Sequence, residues 1–280
     1  VLELINSCPK LETLKIVEAQ SIDNRLFEWL IKKNVALKCL EIGGKPTEFN
    51  HKITLEGFEL LTNVGKFQLE ELRIDYCSKI GDRTIERVAE AYAPTLRRLE
   101  LRRNFFEKVA KISDIAIRSL GICEDLKDLT IQYTRKFNEE MAVYMAEAMP
   151  HLRYLNLADC PIPTSLEPLV NDCPYLEEVC LSGDSWVSPE ALQGLSLHPR
   201  IQIFHLGHFD HSDADCNRVI NKSDYPPKGL YVTSIFENGG FPDLKILYLE
   251  EACDLSYWLD IRIRNIRPHL VINYTRQQEL

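Results

Sequence analysis

Hydrophobic positions along this chain fall into one recurring phrase, a strand core of the form L-x-x-L-x-L. Its copies begin at Leu11, Leu37, Leu69, Leu96, Leu126, Leu152, Leu176, Ile201, Leu244 and, in degenerate form, Leu270. Successive starts lie 26, 32, 27, 30, 26, 24, 25, 43 and 26 residues apart. A period near 26 residues is what one strand, one helix and two turns consume, so the pattern predicts an open solenoid over residues 1–280 in about ten coils. Side chains alternate along a strand, so the leucines face inward and the residues between them face outward. Ten parallel strands at the usual spacing would span roughly 43 Å, a scale suited to protein partners and not to a metabolite.

Amphipathic segments with helical spacing lie between the strand cores. Ile22, Leu26, Trp29 and Leu30 form one, and Ile85, Val88, Ala89 and Tyr92 a second. Ile112, Ile115, Ala116 and Leu120 give a third, and Met141, Val143, Met145 and Met149 a looser fourth. Asp82, Asp114 and Asn138 stand where N-caps are expected, and Ser188-Pro189 matches the preference for a cap followed by proline. The widest spacing contains an insertion at about 208–240, punctuated by Pro226-Pro227 and Gly239-Gly240. Two expectations attach to it: that it folds over the C-terminal coils and completes a partner site, or that it is an insertion without a role. The opening residues VLELINSCPKL read as the end of one repeat's helix, so the chain is expected to be a piece of a longer protein.

Composition narrows the function. A net charge of −9 argues against nucleic acid or an acidic membrane as partner, because phosphate binding needs a basic face. No apolar run approaches the roughly 20 residues that span a bilayer, and the first residues do not read as a signal peptide. Nine cysteines occupy repeat positions and show no paired framework, which favours a reducing compartment, cytoplasmic or nuclear. Cys8, Cys123 and Cys173 fall in the turns that precede strands. Cys77, Cys160 and Cys253 fall where strands end, a position at which Asn or Cys can satisfy backbone groups of neighbouring coils; Asn104 holds it in its own repeat.

The phrases INSCPKLETLKI, GICEDLKDLTI, AMPHLRYLNLADC and NDCPYLEEVCLSG, with the helix starts Ile80-Gly-Asp82 and Ile112-Ser-Asp114, resemble the cysteine-containing leucine-rich repeats of F-box proteins. The resemblance covers nearly the whole chain apart from the insertion. It implies an α/β leucine-rich repeat horseshoe with a parallel sheet on the concave face and helices on the convex face. It further implies a non-catalytic substrate receptor of an SCF-type ubiquitin ligase. An F-box upstream would dock the Skp adaptor and a cullin, and the repeats would capture the protein substrate. Two other classes stay open. One is a leucine-rich interaction scaffold unrelated to ubiquitination, as in immune receptors or cytoskeletal caps. The other is a GTPase-activating solenoid of the Ran type, disfavoured by irregular, cysteine-marked repeats and the lack of an acidic tail.

Register assigns candidate contact residues. Arg97, Arg98, Arg102 and Arg103 make a basic island around Glu100, and Lys127 and Arg153 continue it on the next two coils. Guanidinium groups hold carboxylate or phosphate bidentately, so an acidic or phosphorylated peptide is one reading. Pairing with Glu70, Glu71 and Asp128 on adjacent strands is the other. Farther on, Ile203, His205, His208 and Phe209 with Ile246 and Tyr248 place apolar and aromatic groups outward, as interface anchors do. His205, His208, Asp210, His211, Asp213, Asp215 and Cys216 are zinc-ligand types, but their spacing matches no structural zinc site and no metal is expected. Phosphate-loop, nucleophile-elbow and zinc-protease motifs are absent, so neither catalytic residue nor cofactor is expected. Gly43-Gly44 reads as a turn, and Glu139-Glu140 as an acidic first helical turn.

Overall fold

Ten strands hydrogen-bond side by side in one all-parallel sheet whose spatial order is the chain order. The computed structural model describes residues 8, 10–33, 35–63, 67–102, 105–106, 109–110, 112–134, 137–183, 187–207, 228–250 and 254–275. In sequence the sheet strands and helices are β1 (Thr13–Ile16), α1 (Arg25–Lys33), β2 (Cys39–Gly43), α2 (Leu55–Asn63), β3 (Glu71–Asp75), α3 (Asp82–Tyr92) and β4 (Arg98–Arg102). A small antiparallel hairpin, β5 (Phe105–Phe106) with β6 (Val109–Ala110), follows β4. The alternation resumes with α4 (Asp114–Ser119), a 3₁₀ turn, β7 (Asp128–Ile131), α5 (Glu139–Ala148), β8 (Tyr154–Asn156), α6 (Glu167–Asp172), β9 (Glu178–Leu181) and α7 (Pro189–Leu195). It ends with β10 (Ile203–Leu206), α8 (Lys228–Glu237), β11 (Ile246–Glu250), α9 (Asp254–Ile266) and β12 (Val271–Thr275).

Each helix packs on the helices before and after it, so contacts run between neighbouring coils in a solenoid-like manner. The core lies between sheet and helices and is made of the repeated leucines. Leu40, Leu72, Leu99, Leu129, Leu155, Val179 and Phe204 form one buried row across the sheet, joined strand to strand in register. In nine coils the phrase begins two residues before the first ladder position, as Leu176 precedes Glu178. In the last coil Leu270 stands one residue before Val271, a slip that leaves Tyr274 partly exposed where other coils bury an aliphatic side chain.

Helix faces follow the expected pattern with two corrections. Ile115 and Val143 are exposed, and Ile117 and Ala142 take the buried places in their helices. Trp29 is half-buried while Phe27 is fully buried and packs against Phe58. Asn138 and Ser188 cap as expected, accepting from the N–H groups of Met141 and Ala191. Asp82 and Asp114 do not cap. Each is the first helical residue, behind Gly81 and Ser113 respectively. Of the insertion, residues 228–237 form α8, a helix in the ordinary helical place of its coil. The surplus therefore precedes residue 228, and the region expected to fold over the C-terminal coils lies outside the described residues.

Strand exits repeat a backbone device. Glu18, Tyr76, Tyr133 and Asp159 have φ of 55°, 51°, 59° and 59°, and Gly183 has 76°. All five occupy the same place relative to their strands, so the chain turns toward its helix through a left-handed residue in coil after coil. Cys160 fulfils the expected bridging role, its thiol donating to the Ile131 carbonyl of the preceding coil at 3.1 Å. Asn50 does the same job more fully. It donates to the carbonyls of Ala19 and Ile22 and accepts from the N–H groups of Lys52 and Ile53. Among the described residues no helix is long and apolar enough to cross a membrane.

Candidate functional site

Two regions of the outward sheet surface gather the candidate residues. The first is a depression of about 380 Å³ lined by Glu70, Glu71, Arg97, Arg98, Lys127, Asp128 and Arg153. It exists because parallel pairing keeps β3, β4, β7 and β8 in register, which sets equivalent residues of successive coils next to one another. Arg98 donates from Nε to Asp128 at 2.8 Å, and its Nη2 lies 2.7 Å from the same carboxylate. Arg97 lies 3.7 Å from Glu70. For these two arginines the pairing with neighbouring acids that the sequence allowed is present. Lys127 and Arg153 form no ion pair with any described residue.

Arg102 lies apart from the depression. It pairs with Glu100 at 3.1 Å, and Glu100 also faces Arg73 at 3.7 Å. Arg73 in turn holds Asp75. Burial pushes the Asp75 carboxyl above its ordinary range while Arg73 pulls it back. Lys15 and Glu41, 2.7 Å apart, extend the alternation toward β1. This half of the surface is therefore largely self-neutralised, and the sequence reading missed Arg73, Asp75 and Glu41. Reading every second residue across adjacent strands would have found them.

The second region lies on β9 to β11. Ile203 pairs with Ile246 in register, and His205 with Tyr248. The His205 and Tyr248 rings stack with centroids 4.3 Å apart and 7° between planes. His205 Nε2 lies 3.0 Å from Glu178 Oε1, while its buried Nδ1 has no hydrogen-bond partner among the described residues. Ile203, Ile246 and Tyr248 remain half-buried. Arg103, His208 and Phe209 lie outside the described residues, as do Asp210, His211, Asp213, Asp215 and Cys216. Among the described residues no group of three or more metal-ligand side chains comes together.

The outward middle of the sheet is not solvated as alternation suggests. Thr130, Asn156 and Cys180 are buried at outward positions. The Tyr154 hydroxyl, pushed up to about 12 by burial, accepts from Asn156 Nδ2 at 3.0 Å. The surface thus offers a charged patch on one side of Tyr154 and an aromatic one on the other. No family model matches the chain, and no curated protein matches it.

Proposed function

We propose that this chain is the leucine-rich repeat, substrate-recognition part of an SCF-type ubiquitin ligase, a horseshoe that captures a protein on its concave and C-terminal surface. The observation that carries the reading is the sheet of ten parallel strands in chain order, which stacks the cysteine- and leucine-marked phrases coil upon coil. The likeness of those phrases to the repeats of F-box proteins supplies the link to ubiquitin transfer. On this reading the chain has no chemistry, cofactor or metal of its own. It works in the cytoplasm or nucleus without nucleic acid or membrane, and an F-box joins it to the Skp adaptor and cullin. The paired Ile203–Ile246 and stacked His205–Tyr248 groups are the anchors for the client.

Binding of purified Skp adaptor to the full-length protein, but not to residues 1–280 alone, tests the assignment. The paired variant His205→Ala/Tyr248→Ala should still bind the adaptor and lose its client. Full-length protein that ignores the adaptor while retaining a protein partner would overturn the ligase reading in favour of a repeat scaffold unrelated to ubiquitination.

A further inference from the structure

We propose that Asn238 is a site of spontaneous modification, at which the Asn238-Gly239 pair closes to a succinimide and reopens as isoaspartate or aspartate. The inference needs neither a partner nor the link to ubiquitin. Of the asparagines in the chain, Asn238 alone precedes a glycine. Both residues are exposed, and the Asn238 side chain forms no hydrogen bond with any described residue. Asn50 and Asn156, by contrast, are buried, and their amides donate to backbone carbonyls and to the Tyr154 hydroxyl. A Cβ added at Gly239 would meet nothing within 4 Å, so the approach to its nitrogen is open on that side.

The chemistry uses only the chain and water. The Gly239 nitrogen, its proton taken by solvent base, attacks the Asn238 side-chain carbonyl carbon; a C–N bond forms and the amide nitrogen leaves as ammonia. Water then opens the ring at either carbonyl, giving aspartate or, with the main chain routed through the side chain, isoaspartate. A side chain on the following residue would crowd the attack, and glycine has none. The pair lies in the C-terminal cap of α8, where Gly239 has φ 80°. Its N–H donates to the Phe236 carbonyl at 3.2 Å, and the Gly240 N–H to that of Ile235 at 2.8 Å. The attacking nitrogen therefore gives up the longer bond of the cap, at a helix end, where opening costs little. Isoaspartate lengthens the backbone by one carbon inside both bonded loops, so the cap loses its geometry. Either product adds a carboxylate at the negative end of the α8 dipole. The joint to β11 is affected in turn. There Arg267 donates to the Gly240 and Phe241 carbonyls at 2.8 and 2.7 Å, and the Phe241 ring stacks on Phe204 with centroids 5.0 Å apart. The modification loosens the entry to the strand that carries Ile246 and Tyr248.

The test incubates the full chain at pH 8 beside a synthetic peptide of residues 233–243. Peptide mass spectrometry should find the side-chain amide of Asn238 replaced by a carboxyl, at a rate within about tenfold of the free peptide's. Isoaspartyl methyltransferase should label the product, and conversion should quicken as pH rises, because base frees the attacking nitrogen. Isoaspartate-bearing protein, separated by ion exchange, should lose amide-hydrogen protection across residues 235–244 by about tenfold or more. Asn238→Gln protein aged in parallel should keep both its mass and its protection. An Asn238 still intact in the folded chain once the peptide has converted overturns the proposal. Converted protein with unchanged protection overturns the loosening of β11, as does an equal loss of protection in the aged Asn238→Gln protein.

Discussion

Asp82 takes both polar hydrogens of Ser113. Its carboxylate accepts from the Ser113 N–H at 2.7 Å and from the hydroxyl at 2.6 Å. Ser113 in turn caps α4 by accepting from the Ile115 N–H at 3.2 Å. One carboxylate at the start of α3 thus sets the start of the next helix, where it also sits favourably for the α3 dipole. The same residue that reads as a cap for its own helix supports its neighbour's cap.

Asp82→Ala is expected to lower stability by about 2–3 kcal/mol, because two charge-assisted hydrogen bonds vanish and the Ser113 N–H loses its acceptor. Ser113→Ala should cost about 1–2 kcal/mol through the lost cap. The double variant should cost less than the two losses together, since the residues share one bond. Urea denaturation of the four proteins measures this; additive losses would show that the two side chains act separately.

Strand positions were legible because burial on the inward face demands large aliphatic groups at fixed spacing, and nine phrases meet their ladders at one offset. Helix starts were legible to within one residue. Asn138 and Ser188 present a cap directly, whereas Gly81 and Ser113 cap one residue earlier than Asp82 and Asp114 suggest. Ile115 misled because a six-residue helix buries only the few positions its neighbours reach, and Val143 because its ten-residue helix buries the face of Met141, Ala142, Met145 and Ala146 instead. At the candidate site, Arg98 and Arg153 could be placed by register. Their pairing could not, because it depends on which adjacent acid a side chain meets: Arg98 meets Asp128, and Arg153 forms no ion pair with any described residue. The phrase starts Ile201 and Leu244 already set His205 level with Tyr248, 43 residues on, but the stacking of their rings depends on side-chain rotamers that the sequence does not give.

Gly183→Ala should destabilise the chain by about 1–3 kcal/mol, the cost of a strained left-handed position plus a clash. At φ 76°, an added Cβ would come 2.0 Å from Asp159 Oδ1 in the preceding coil. Placing the same change in an Asp159→Gly background should recover the part due to collision and leave the part due to backbone strain. Thermal denaturation separates the two, and a Gly183→Ala protein as stable as the parent would contradict the account.

Cysteine chemistry should divide the thiols sharply. Burial pushes Cys77 and Cys173 up to about 12, and Cys123 and Cys160 up to about 11. Alkylation needs both thiolate and access. Iodoacetamide at pH 8 should therefore modify exposed Cys8 readily and leave those four unmodified until urea opens the coils. Peptide mass spectrometry reads the result; early labelling of Cys160 would mean that the bond to Ile131 does not hold.

Acid should loosen the seventh and eighth coils through His198. The ring is buried, its Nε2 donating to the Cys173 carbonyl at 3.1 Å and its Nδ1 accepting from the Arg200 N–H at 3.2 Å. A backbone N–H can only donate, so Nδ1 must be the unprotonated nitrogen. Burial holds the histidine below its ordinary range, with the nearby Arg200 charge acting in the same direction. The unfolded chain therefore takes up a proton at higher pH than the folded one. The stability of the neutral ring is fully present above about pH 6.5 and is lost as pH falls toward the folded value. Melting temperature should drop between pH 7.5 and 5.5, and His198→Gln, less stable at pH 7.5, should show a smaller drop. An equal drop in both proteins would assign the acid sensitivity to other groups.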